Sequence, residues 1–109
     1  MSVFAEIEVA GETLPVAVIR GSGEGPRVLV TAGIHGCEFV GIETARRLAI
    51  ELAADSGAVR GTVTIVACVN PGAMRARMAA LNPADGLNIN RMFPGDAGGS
   101  ASRRTAAWL

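Results

Sequence analysis

The stretch VLVTAGIHGCEFVGIETARRLAIELAADSGAVRGTVTIVACV, residues 28–69, changes its hydrophobic period twice. Residues 28–32 are a continuous apolar run, the pattern of a strand covered on both faces. Over residues 41–54 the spacing becomes helical. Ile42, Ala45, Leu48, Ala49 and Leu52 recur at three and four, while Glu43, Arg47 and Glu51 take another face, and Asp55-Ser56-Gly57 closes the helix. Residues 62–69, TVTIVACV, are a second apolar strand. Strand, helix and strand in this order predict a βαβ unit with parallel strands and a right-handed crossover, hence an α/β fold.

Outward from this unit the signals are shorter. Residues 3–9 and 14–20 are rich in Val and Ile and are separated by Ala10-Gly11-Glu12-Thr13, which predicts an antiparallel hairpin leading into the βαβ unit. The segment GSGEGPR, residues 21–27, reads as a loop. A phosphate cradle there would need a helix after the glycines, and a strand-like run follows instead. Residues 73–81 can hold a short helix. NPADG (82–86) and FPGDAGGS (93–100) read as loops, and residues 101–109 form a short helix with Ser100 or Ser102 as its N-cap.

The chain has 109 residues, half of them hydrophobic and 18% charged, which fits one domain and excludes a disordered polyelectrolyte. Ten basic residues, all Arg and scattered, balance ten acidic ones, so nucleic acid is not an expected partner. No run approaches the roughly 20 apolar residues of a membrane span. The N-terminal residues are acidic rather than signal-like, and Cys37 and Cys68 do not make a disulfide framework. A cytoplasmic setting with reduced thiols and no membrane partner is the expectation.

In α/β sheets, ligand-binding groups collect beyond the carboxyl ends of the strands. His35 and Glu38 stand there, after the first apolar strand, flanked by Gly33 and Gly36 that let the turn aim both side chains. An imidazole and a carboxylate at this spacing suit a catalytic zinc. The alternative is that His35 caps the strand and Glu38 caps the helix. A second cluster, Asn88-Ile89-Asn90-Arg91, pairs amides with a guanidinium, a set suited to a carboxylate. Its alternative is two turn asparagines beside a surface charge.

GIHGCE (33–38), VNPGAMRAR (69–77) and NPADGLNINRMFPG (82–95), preceded by GETLPVAVIRG (11–21) and GPRVLVTAG (25–33), together resemble the succinylglutamate desuccinylase/aspartoacylase family of zinc deacylases. These are relatives of the zinc carboxypeptidases. The resemblance covers nearly the whole chain. It implies a three-layer, carboxypeptidase-like α/β sheet with flanking helices, of which residues 1–109 are the N-terminal part. It also implies a Zn2+ cofactor held by His35 and Glu38. Asn90 and Arg91 would bind the carboxylate of an N-acyl amino acid, and Arg77, or alternatively Arg75, would polarise the scissile carbonyl. Ala79 and Ala80 stand where some members carry Arg and an aromatic residue, and Cys37 stands where many carry Asp; a packing thiol is expected there, with metal ligation as the alternative.

A catalytic zinc takes three protein ligands, and the chain has one histidine. By the resemblance, the second histidine and the general-base glutamate lie in a later part of the parent chain. Glu43 and Glu51, inside the predicted helix, are poor substitutes. The expected activity is therefore that of a zinc-dependent deacylase as a longer parent. The alternatives are a carboxypeptidase-type peptidase and a non-catalytic module that binds carboxylates.

Overall fold

A computed structural model describes residues 2–109. Four strands, β1 (Ala5–Val9), β2 (Glu12–Arg20), β3 (Ser22–Thr31) and β4 (Arg60–Val66), form one sheet in the order β1-β2-β4-β3. The helices are α1 (Phe39–Ala54), α2 (Pro71–Arg75) and α3 (Ala101–Trp108). β1 and β2 are antiparallel, as are β2 and β4, whereas β3 and β4 run parallel on either side of α1. The hairpin and the βαβ unit are both present. The hairpin turn is tighter than residues 10–13: Val9 pairs with Glu12, leaving Ala10 (φ 51°) and Gly11 (φ 84°) as a two-residue turn.

Alternation along the strands divides the core into two layers. Ala17, Ile19 and Ile65 face α1 and pack with Ala45 and Ala49. Val16 and Val66, adjacent in the same strands, face the other way and pack with Leu14, Val69 and Ile89, with Leu109 after α3 against them. The sheet is therefore sandwiched between α1 and a layer built from the loops and α3.

Two expectations about β3 are corrected. Residues 22–27 are strand rather than loop, with β3 advancing from Ser22 to Arg27 while β4 advances only from Arg60 to Thr62. The irregular register is possible because backbones touch there: a Cβ on Gly61 (φ 83°) would lie 2.1 Å from the Pro26 carbonyl oxygen. The apolar run 28–32 is not covered on both faces, since β3 is an edge strand and Val28 and Leu29 are 44% and 47% exposed. An apolar strand at an open edge lacks the neighbour its composition calls for.

The helix ends also differ from the sequence reading. α1 starts at Phe39, and Glu38 occupies the N-cap position without giving its side chain to the helix. α2 starts at Pro71, with Asn70 Oδ1 accepting from the Ala73 N–H at 3.2 Å. At α3 the N-cap residue is Ser100, but its hydroxyl does not cap the helix. Asp85 does so from a distance: Oδ2 accepts the Ser102 N–H and the Ser100 hydroxyl, both at 2.7 Å, and Oδ1 accepts the Ser102 hydroxyl at 2.7 Å and the Leu87 N–H at 3.1 Å.

Partial burial favours the neutral form of Asp85, but the bonds from Ser102, Ser100 and Leu87 outweigh it and hold the pKa down to about 2, from an ordinary 3.8. A carboxyl whose pKa falls on folding stabilises the fold above its unfolded pKa and loses that contribution as pH drops through the folded value. Asp85→Asn is expected to cost about 1–2 kcal/mol at pH 7. In urea titrations the gap between wild type and variant should close as pH approaches 2; a gap that stays constant with pH would contradict the cap.

Candidate active site

The site forms beyond the carboxyl ends of the parallel pair β3 and β4, where two turns are stitched together. The Val69 N–H donates to the Ala32 carbonyl and the Asn70 N–H to that of Gly33, each at 2.9 Å. The buried Asn70 side chain, besides capping α2, donates from Nδ2 to the Ile34 carbonyl at 3.3 Å. Asn70 and Pro71 thus tie the turn bearing His35 to the start of α2. Gly36 allows the contact to be close: a Cβ there would lie 2.6 Å from the Ala73 carbonyl carbon and 2.7 Å from the Met74 nitrogen.

Within this turn His35 and Glu38 converge. Glu38 Oε1 accepts the His35 backbone N–H at 3.2 Å, and Oε2 lies 3.4 Å from His35 Nδ1. The Glu38 carboxylate folds back over the turn instead of capping α1, which disfavours the simple capping alternative. The 3.4 Å separation is that of a long direct hydrogen bond or ion pair, and the two groups are also close enough that they could share one tetrahedral ion, whose donors at about 2.0–2.1 Å stand about 3.3 Å apart. The His35 side chain is 25% exposed and that of Glu38 is 50% exposed, leaving the gap open on one side. Among the described residues, no three His, Cys, Asp or Glu side chains group around a possible metal position.

The second cluster meets the first through a residue to which sequence reasoning gave no separate role. Asn88 Oδ1 lies 3.0 Å from His35 Nε2 and accepts the Asn90 N–H at 3.0 Å. A one-turn 3₁₀ helix, Ile89–Arg91, follows; it is anchored by Ile89, which is 1% exposed. The Asn90 and Arg91 side chains are exposed and make no hydrogen bond to any described residue. The signal for Asn88 was its spacing, two residues before Asn90, within the same polar run.

The two arginines after α2 differ in availability. Arg75 donates to Glu12 Oε2 at 2.7 Å, which turns it toward the β1–β2 hairpin. Arg77 instead lines a recess of about 350 Å³ with Gly36, Cys37, Phe39, Met74 and Met78, beside the His35 turn. Its backbone is left-handed, with φ 57°, a conformation that costs a non-glycine residue about 1 kcal/mol. Cys37 is exposed in this recess rather than packed in the core, while burial raises the pKa of the other thiol, Cys68.

The mixed α/β sheet thus brings an imidazole, a carboxylate and an amide-guanidinium loop together beyond the carboxyl ends of β3 and β4. Residues 24–108 match the succinylglutamate desuccinylase/aspartoacylase catalytic domain, and the chain belongs to this family. It is 42% identical over 96 residues to the N-alpha-acetyl-L-2,4-diaminobutyric acid deacetylase of Halomonas elongata, a match that covers 88% of this chain and 27% of the relative. An aspartoacylase family protein from Mesorhizobium loti superposes with a TM-score of 0.79 at 42% identity, covering 88% of this chain and 29% of that one. A succinylglutamate desuccinylase/aspartoacylase structure from Rhodobacter sphaeroides does so with 0.81 at 32% identity, over 100% of this chain and 35% of its own. The chain thus spans about a third of the length of these relatives.

No described helix is long and apolar enough to cross a membrane.

Proposed function

We propose that the protein is a zinc-dependent hydrolase that removes the acyl group from an N-acyl amino acid, with this chain supplying part of the metal site and the carboxylate anchor. The observation that carries the reading is the convergence of His35 Nδ1 and Glu38 Oε2 across a gap of 3.4 Å. Both are ligand types of catalytic zinc, and a third donor would come from outside the 109 residues. Zinc bound there would supply Lewis acidity toward the scissile carbonyl and activation of water at neutral pH.

The residues of the chain would divide the remaining work. Arg91 offers a planar fork for the substrate carboxylate, and Asn90 adds an amide donor. Arg77, free of the ion pair that engages Arg75, would donate toward the oxygen on which negative charge develops. The products would be a free amino acid and a carboxylic acid. Cleavage of an N-acetyl amino acid is the first activity to assay, because the Halomonas relative is named for such a substrate. The cytoplasm is the proposed setting.

The test is steady-state hydrolysis of N-acetyl and N-succinyl amino acids by the longest form of the protein, with zinc. Arg91→Ala is expected to lower kcat/KM by about 10²–10³-fold, mainly through KM, because the partner carboxylate loses its charged fork. Arg77→Ala should lower kcat by about 10²-fold. Unchanged kinetics for Arg91→Ala, or hydrolysis that survives complete removal of metal, would overturn the assignment.

A further inference from the structure

The recess beside the His35 turn shares a wall with the candidate reaction centre. Gly36 and Cys37, which separate His35 from Glu38 in sequence, line it together with Phe39, the residue after Glu38. Met74, Arg77 and Met78 close it from the α2 side, and Ala79 is exposed on that wall. The backbone bonds of Val69 and Asn70 and the close approach of Gly36 to Ala73 and Met74 fix the two walls against each other, so the space is set by packed backbone. Among its described lining residues only Arg77 is charged, and Phe39 leaves 60% of its surface exposed. The remaining side chains are thioether, thiol, phenyl and methyl, and thioethers adapt readily to the shape of an apolar guest.

We propose that this recess takes the acyl half of the substrate and selects an uncharged, apolar acyl group larger than acetyl, in the range from butyryl to hexanoyl. The proposal rests on the reading of the His35 turn as the reaction centre. Arg77 sets the direction. In that reading its guanidinium donates to the carbonyl oxygen, and the acyl chain leaves the same carbonyl carbon toward the apolar groups with which Arg77 lines the recess. Volume sets the size: about 350 Å³ is more than twice the roughly 150 Å³ of a cavity that admits benzene, so the methyl of an acetyl group would leave most of the space unfilled. Charge sets the class. A carboxylate at the end of the acyl chain would lose hydration among Cys37, Phe39, Met74 and Met78, while the one guanidinium there is engaged by the carbonyl oxygen.

The test is a series of N-acyl derivatives of one amino acid, acetyl, butyryl, pentanoyl, hexanoyl and succinyl, hydrolysed by the longest form of the protein with zinc. From acetyl to hexanoyl, kcat/KM is expected to rise about 2–4-fold per methylene, the upper figure corresponding to full burial of each group. N-pentanoyl should exceed N-succinyl by about 10-fold or more. Ala79→Phe narrows the recess and should lower the hexanoyl-to-acetyl ratio of kcat/KM by about 10-fold; damage to the fold or to the metal site would lower both substrates together and leave that ratio in place. A profile that stays flat or falls beyond acetyl, a preference for succinyl over pentanoyl, or an unchanged ratio in Ala79→Phe would overturn the recess as the acyl site and leave the deacylase reading standing. Hydrolysis of no member of the series would remove that reading and the proposal with it. Should Ala79→Phe fail to fold, the wild-type profile decides, because an acyl group that enters an apolar recess must gain with each methylene.

Discussion

His35→Ala in the full-length protein is expected to abolish stoichiometric zinc and to lower hydrolysis of an N-acyl amino acid by about 10³-fold or more. These 109 residues hold no second imidazole, and a histidine supplied by a later part of the parent would already fill its own coordination position; loss of a Lewis acid worth several kcal/mol of transition-state stabilisation corresponds to a factor of that size. The fold should survive. His35 is partly exposed and lies outside both core clusters, and Asn70 bonds to the backbone around it rather than to its ring. Metal content by atomic absorption, read beside a thermal melt, separates the two effects. A variant that retains one zinc per chain would eliminate His35 as a ligand.

Gly61→Ala is expected to have the largest effect on stability. The new Cβ would sit 2.1 Å from the Pro26 oxygen and 2.6 Å from the Gly25 carbonyl carbon, and the backbone φ is 83°. The left-handed conformation alone costs about 1 kcal/mol for alanine, and the overlap is with backbone, which cannot swing aside as a side-chain tip can. A total of about 3–5 kcal/mol is a large share of the stability of an ordinary domain. Gly57→Ala is the matching control, because nothing lies within 4 Å of its Cβ and its φ is not positive. Chemical denaturation should show Gly61→Ala largely unfolded and Gly57→Ala close to wild type. Equal midpoints for the two variants would refute the steric argument.

The contrast between these glycines bears on how much a reader of the sequence can know. In sequence Gly57 closes the helix and Gly61 opens the following strand, and only the approach of β3 to β4 shows that the second tolerates no side chain. Residues 21–27 read as a loop because glycines without side chains carry no periodicity, although their bareness is what lets the two backbones touch. The run 28–32 reads as an interior strand because its residues are apolar, yet in this chain β3 is an edge. The chain spans 29% and 35% of the two solved relatives.

In the site, the HxxE turn, the two candidate arginines and the Asn-Arg run are all visible in one dimension, because they are short patterns of chemically distinctive residues. Their mutual arrangement is not. Glu38 is next to a helix start, and its composition cannot say whether the carboxylate caps α1 or folds back on His35; the fold selects the second. Arg77 is preferred to Arg75 by the resemblance alone, and only the fold shows that Glu12 engages Arg75. Asp85 reads as turn chemistry and serves as the distant cap of α3.

The sequence by itself determined the βαβ order, the hairpin and the family, since hydrophobic period and motif spacing are local properties of the chain. Tertiary structure alone decided which strand is an edge, which arginine is engaged, and that Asn88 meets His35. Each of these is a contact between residues distant along the chain, chosen by where whole elements pack, and no local pattern encodes it.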